Sequence, residues 1–243
     1  MLFKLDPEIT SLVQKIRDSS TQLSKLFMEI SQGLIPYDKY QGQDAQTIEN
    51  RVYHSSTKDT KKHKPLLWGE DVKRYTVEWN GKEYIKYCSG IANPREPKYF
   101  KGKRLLVREI TNPRVFSAIT SEELYHDPAI IVIRDFKDSK ISIESILGIL
   151  NSQLATFYHF NSSPKATKGE FPKILIEDIK NFPIIRHNDK TAKQYRKLHE
   201  LVIEYLKSDP KQKEVIDRDI DIEVFKLYKM NFEEAKIIRS SFK

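Results

Sequence analysis

The stretch Ala129-Ile130-Ile131-Val132-Ile133-Arg134-Asp135 constrains the fold of this chain more than any other segment. Its apolar residues run on without alternation, and most are β-branched, so it predicts a strand over 129–135 buried on both faces. Shorter strands are expected nearby, over 104–110 and 115–119. Arg74-Tyr75-Thr76-Val77-Glu78-Trp79, then Asn80-Gly81, then Glu83-Tyr84-Ile85-Lys86-Tyr87 reads as a hairpin, because Asn-Gly between alternating residues favours a two-residue turn. Residues 37–64 have almost no apolar run and carry Lys58, Lys61, Lys62 and Lys64, which predicts a loop. Together these segments predict a mostly antiparallel β core.

Helical patterns lie on both sides. Asp6 suits an N-cap, Pro7 the first helical position, and Glu8 the positive end of the helix dipole. Ile9, Leu12, Val13, Ile16, Leu23, Phe27 and Ile30 then follow helical spacing, which predicts one amphipathic helix over 1–31, ended by Gly33 and Pro36. Downstream, Ser142 opens a helix over 143–160. A polar loop, a short strand over 171–175, a helical turn over 176–180 and an extended 182–185 come next. A helix over 190–207 is followed by a second that Asp209-Pro210 starts and a third that an Asn231…Glu234 capping box starts. The expected fold class is α+β, with an N-terminal helix (1–31), a β-rich domain (32–186) and a C-terminal helical segment (187–243).

Composition narrows the function. The 243 residues carry 42 Lys+Arg against 34 Asp+Glu, a formal net charge of +8. No apolar run is long enough to cross a membrane as a helix. The N-terminus lacks a signal-peptide core, and Cys88 is the single cysteine, which excludes an internal disulfide. A cytoplasmic protein is expected. The basic excess is localised: residues 95–114 hold seven basic side chains against two acidic ones. These are Arg95, Lys98, Lys101, Lys103, Arg104, Arg108 and Arg114, interleaved with Tyr99 and Phe100. Basic groups neutralise phosphates and an exposed aromatic can stack, so the stretch predicts nucleic-acid contact. Lys73, Arg74, Lys165 and Lys168 occupy other predicted loops that could line the same groove.

Catalytic sets are sparse. The eight glycines form no phosphate-binding loop, and the six histidines no metal spacing. Asn93-Pro94-Arg95-Glu96 starts like the Asn-Pro-Pro-Tyr motif of adenine methyltransferases but departs from it at its third and fourth positions. Asp127 before the apolar strand, with Asp138 and Lys140 after it, is a weak version of a Mg²⁺-nuclease layout.

Five motifs in order resemble one family. Trp68-Gly69-Glu70-Asp71-Val72-Lys73-Arg74-Tyr75, Lys103-Arg104-Leu105-Leu106-Val107-Arg108, Leu147-Gly148-Ile149-Leu150-Asn151-Ser152, the segment from Phe171-Pro172 to Phe182-Pro183, and the tail from Ile216-Asp217 to Glu233-Glu234 are similar to the TaqI-like C-terminal specificity domain. That domain is the target-recognition part of adenine-specific DNA methyltransferases and type IIG restriction–modification enzymes. The tail departs at Lys229-Met230, where the family has glycine. The resemblance implies a chain without catalytic residues that reads double-stranded DNA, and the loop and strand-end basics Lys73, Arg74, Arg95, Lys98, Lys101, Lys103, Arg104, Arg108, Arg114, Lys165 and Lys168 are the residues expected to contact it. It implies a methyltransferase domain or subunit as partner, S-adenosylmethionine bound there and not here, and a homodimer as one possible assembly. The chain would be either a piece of a longer enzyme or a free-standing specificity polypeptide. Two alternatives stay open: a nuclease using Asp127, Asp138 and Lys140, and an assembly module whose outer helices dock a methyltransferase. Trp68 and Trp79 are expected in the core, Asn151 on backbone, and Glu70 and Asp71 at a turn.

Overall fold

The computed structural model describes residues 6–137, 140–163 and 172–241. In chain order the elements are α1 (Pro7–Asp18), β1 (Ser20–Gln22), β2 (Phe27–Gln32), α2 (Ala45–Glu49), β3 (His54–Ser55), β4 (His63–Leu67), β5 (Tyr84–Lys86), β6 (Arg104–Arg108), β7 (Ser117–Thr120), β8 (Tyr125–His126) and β9 (Ile130–Phe136). Helices α3 (Ile143–Asn151), α4 (Gln153–Ser162) and α5 (Ile176–Lys180) follow, then β10 (Pro183–Ile185), α6 (Ala192–Lys207), α7 (Pro210–Leu227) and α8 (Phe232–Ser240). The chain forms two compact units: residues 29–109 with 117–134, and residues 1–28 with 110–116 and 135–243. The fold class is α+β, but the expected division at 32 and 186 differs from these units. The sequence from 135 to 186 folds with the helices.

The β unit is built on the apolar strand. The sheet order is β2-β9-β6-β7, and β6 pairs antiparallel with both β9 and β7. Ile130 to Ile133 are fully buried on both faces of the sheet. Leu106 lies opposite Val132 and Ala118, and all three join Leu67, Val72, Leu124 and Ile130 in one core cluster. A second sheet, β3-β5-β4-β8, is antiparallel except for its β4–β8 pair. Its cluster contains Leu34, Leu66, Ile85, Ile91, Phe100 and Tyr125.

The predicted hairpin does not form. Its turn exists, with Gly81 at φ +76° and the Asn80 side chain accepting from the Lys82 N–H, but only 84–86 becomes a strand. Tyr75 takes φ +69°, buries its ring and donates its N–H to the Ser117 carbonyl at 2.8 Å. That bends residues 72–77 into a tight loop, and β5 pairs with β3 and β4 instead. Residues 37–64 likewise hold α2 and β3 and reach the start of β4, where a continuous loop is expected.

In the helical unit the caps are where the sequence places them. Asp6 accepts from Glu8 N–H, Asp209 from Lys211 and Gln212, and Asn231 exchanges bonds with Glu234. The predicted 1–31 helix, however, ends at Asp18. Residues 20–22 pair antiparallel with β10, a partner that helical periodicity cannot reveal. Leu23 and Phe27 are buried all the same. The predicted 143–160 helix breaks at Ser152, whose extended backbone ends α3 and whose hydroxyl caps α4. Gly148 lets α3 approach closely, since a Cβ there would lie 2.9 Å from Val202 Cγ2 of α6 and 3.5 Å from Ile220 Cγ2 of α7.

The turn feeding β9 is equally tight. A Cβ on Gly33 would lie 2.0 Å from the Asp127 carbonyl oxygen, so glycine is required there. The Asp127 carboxylate accepts from Ala129 N–H at 3.2 Å, and burial pushes its pKa up to about 7, with Glu109 and Asp71 adding repulsion. Between its unfolded value and about 7 the native state holds a proton that the unfolded chain has lost. Stability from this group therefore falls as pH rises through that window and levels off above it. Asp127→Asn keeps the acceptor and removes the titration, so thermal melts should show a higher midpoint than wild type on the alkaline side of the window, with the two converging on the acid side. Parallel curves at every pH would contradict this.

Candidate nucleic-acid interface

The predicted basic residues divide sharply once placed. Arg104 is 0% exposed. Its guanidinium donates to the carbonyls of Gly102 (2.9 Å), Glu122 (2.9 Å) and Leu124 (3.0 Å). Burial, with repulsion from Arg134, lowers its pKa to about 10, which leaves it charged at neutral pH. Its place in the DNA-contact set is thus corrected: it is a structural cation that satisfies backbone carbonyls.

Three more of the set are engaged with the protein itself. Arg95, at φ +57°, donates its Nε to the Gly33 carbonyl at 3.3 Å, and its own carbonyl accepts from the Tyr87 hydroxyl. Lys98 forms ion pairs with Glu29 at 2.8 Å and Glu96 at 3.4 Å, and the bond to Glu29 raises its pKa. Arg114 belongs to the helical unit, where it donates to the Asn151 carbonyl at the C-terminal end of α3, a favourable place for a cation. Lys165 and Lys168 lie outside the described residues.

The other predicted cations of the β unit stand on loops and at strand ends. Lys73 and Arg74 occupy the tight loop that Tyr75 anchors, closed by a bond from Lys73 N–H to the Thr76 carbonyl. The Arg74 guanidinium stands 5.4 Å from the Tyr75 ring centroid. Lys101 and Lys103 are exposed on either side of Gly102, which takes φ +75° in the turn leading into β6. Arg108 is half-buried at the other end of β6. Tyr99 and Phe100 are not a stacking surface: Phe100 is buried against Tyr125 at 4.3 Å between ring centroids, and Tyr99 packs on both core clusters. Trp68 and Trp79 pack on the cores as expected. Asn151 is buried and bonds the Leu147 carbonyl, and Asp71 accepts from Trp68 N–H at 2.7 Å. Sequence reasoning passed over Arg51, Lys58, Lys61 and Lys62, which are exposed in the same unit.

The nuclease layout gains nothing from the structure. Asp127 is spent on the turn before β9, and Asp138 lies outside the described residues. Among the described residues, no three His, Cys, Asp or Glu side chains come together in a group that could hold a metal ion. No described helix is long and apolar enough to cross a membrane.

Comparison with known proteins locates these features. Residues 64–184 match the profile of the TaqI-like C-terminal specificity domain. A relative from Methanocaldococcus jannaschii, which bears the name of a type II restriction enzyme and methyltransferase, is 22% identical over 194 residues. The match covers 78% of this chain and 15% of that protein. Among solved structures, the type IIL restriction–modification enzyme MmeI, in complex with DNA, superposes with a TM-score of 0.55 at 14% identity, over 90% of this chain and 36% of that one. The HsdS subunit from Thermoanaerobacter tengcongensis gives a TM-score of 0.43 at 9% identity, over 92% of this chain and 51% of that one. This chain therefore spans a minor part of the first two.

The division of the basic residues is testable by stability. Arg104→Ala removes the donor to the buried Leu124 carbonyl and the part-buried bonds to Gly102 and Glu122, and should destabilise the β unit by about 3 kcal/mol. Lys101→Ala should leave denaturant unfolding within error of wild type. Equal, small effects would contradict the assignment of Arg104 to the interior.

Proposed function

We propose that this chain, which carries a TaqI-like C-terminal specificity domain over residues 64–184, recognises double-stranded DNA for a restriction–modification enzyme whose adenine methylation is performed by another domain or subunit. The observation that carries the reading is the coincidence of that segment with the loop and strand-end cations of the β unit, Lys101 and Lys103 exposed and the others half-buried. Lys73, Arg74, Lys101, Lys103 and Arg108 all fall inside it, on loops and strand ends of a rigid double-sheet scaffold. Loops on a fixed scaffold can follow a groove while the sheets hold their spacing. Lysines there neutralise phosphates, and an arginine can also make a paired contact to a guanine edge. In this reading S-adenosylmethionine is bound by the methylating partner, as the family resemblance implies.

Binding of a mixed-sequence duplex, followed by fluorescence anisotropy across a salt series, tests the proposal. The wild-type chain should bind at low salt and weaken steeply as salt rises. A Lys73→Glu, Arg74→Glu, Lys101→Glu variant should lose about tenfold or more in affinity at low salt without losing its cooperative melt. Absence of wild-type binding at low salt, or unchanged binding by a folded variant, would overturn it.

A further inference from the structure

Arg51 occupies a position that its own backbone disfavours. Asn50 caps helix α2, and the next residues close it with bonds from Arg51 N–H to Ile48 O (3.2 Å) and from Val52 N–H to Thr47 O (3.4 Å). This closure places Arg51 at φ +48°, in the left-handed region where glycine is the favoured residue. Glycine would meet this closure without a side chain, so what the arginine side chain touches is the informative feature.

The surroundings show what the side chain does. Its guanidinium lies 5.5 Å from the Trp68 ring, and Trp68 stacks on His54 at 5.6 Å with 12° between planes. His54 stacks in turn on Tyr37, and Tyr37 on Tyr53, at 5.5 Å and 5.4 Å. The Tyr53 N–H donates to the Tyr37 hydroxyl, which is therefore free to donate its proton to His54 Nδ1, 2.9 Å away. Burial, with Arg51 adding repulsion, lowers the His54 pKa to about 4, so the stack beneath Arg51 is uncharged at neutral pH. The pile backs the guanidinium at cation–π distance and leaves Arg51 exposed at its end. Around it, residues 51–64 hold five basic side chains against one acidic one, with Lys58, Lys61 and Lys62 exposed.

A cation needed only for a phosphate gains little from a fixed plane, and a flexible lysine would serve. A planar fork backed by an aromatic ring suits a paired acceptor, and guanine offers one through O6 and N7. Resting on the DNA-recognition reading above, we infer that residues 51–62 form a second DNA-contacting element, in which Arg51 reads a guanine edge and Lys58, Lys61 and Lys62 hold the neighbouring backbone. Arg51 lies outside the segment matched to the specificity-domain profile, so the family match does not assign it this role.

Selection from a duplex pool randomised at its centre, with the full-length chain, tests the inference alongside melting. Arg51→Gly relieves the backbone, so its melting midpoint should equal or exceed that of wild type. Its selected sequences should lose a guanine preference at one position that wild type retains. Arg51→Lys should bind mixed-sequence duplex within about threefold of wild type yet lose the same preference. A selected motif unchanged in both variants would overturn the inference. So would a loss of affinity in Arg51→Gly that is uniform across sequences and fully restored in Arg51→Lys, which marks a phosphate contact. A markedly lowered melting midpoint in Arg51→Gly would instead mark Arg51 as structural and overturn the inference too. Failure of wild type to bind any duplex would remove the functional reading itself, whereas these other outcomes remove only the role of Arg51.

Discussion

A single buried guanidinium joins the two sheets of the β unit. Arg104 begins β6 in one sheet, and the Leu124 carbonyl it bonds immediately precedes β8 in the other. Its other terminal nitrogen reaches both Gly102 and Glu122, so the turn carrying Lys101 and Lys103 is fastened to the same point. A backbone bond from Leu124 N–H to Phe100 O closes the arrangement, and Phe100 stacks on Tyr125 within the second core. Burying a cation this deeply is unfavourable unless its donors are met, and here carbonyl oxygens rather than a carboxylate meet its two terminal nitrogens, while Nε is buried with no hydrogen-bond partner among the described residues. The exposed cations on that turn inherit a fixed position from the one cation that is not exposed.

The same economy recurs at the surface. Tyr75, Arg95 and Arg51 all adopt positive φ without being glycine, and each ties a loop to the double-sheet scaffold. Tyr75 does so by burying its ring and bonding Ser117, and Arg95 by bonding Gly33. Arg51 differs, because its side chain rests on an aromatic pile and faces outward. The first two are held by the contacts their own groups make, whereas the φ of Arg51 follows from the closure of α2 and leaves its side chain to the aromatic pile and the surface.

How far the fold was legible follows from how local its causes are. Strand β9 was readable because unbroken β-branched residues carry their own signal, and the Asp6-Pro7, Asp209-Pro210 and Asn231…Glu234 caps were readable because each is settled within four residues. Helix α1 was overextended because the strand at 20–22 is stabilised by residues 183–185, far away in sequence. The hairpin failed for a like reason, since Tyr75 bonds a strand more than forty residues downstream. Of the candidate site, the cations at 73, 74, 101 and 103 were legible as charge in predicted loops. Arg104 looked identical to them in sequence, and the carbonyls that claim it lie mostly at residues 122–124. Arg51 was missed because its neighbours Trp68 and Tyr37 come from separate segments.

The central claim is that DNA is met by the β unit through its exposed basic loops. Hydrogen–deuterium exchange of the full chain, with and without saturating duplex at low salt, tests it most directly. The account predicts slowed exchange confined mainly to backbone amides of residues 51–62, 72–76 and 98–103. Slowed exchange restricted to α6, α7 and α8, with those loops unaffected, would contradict it.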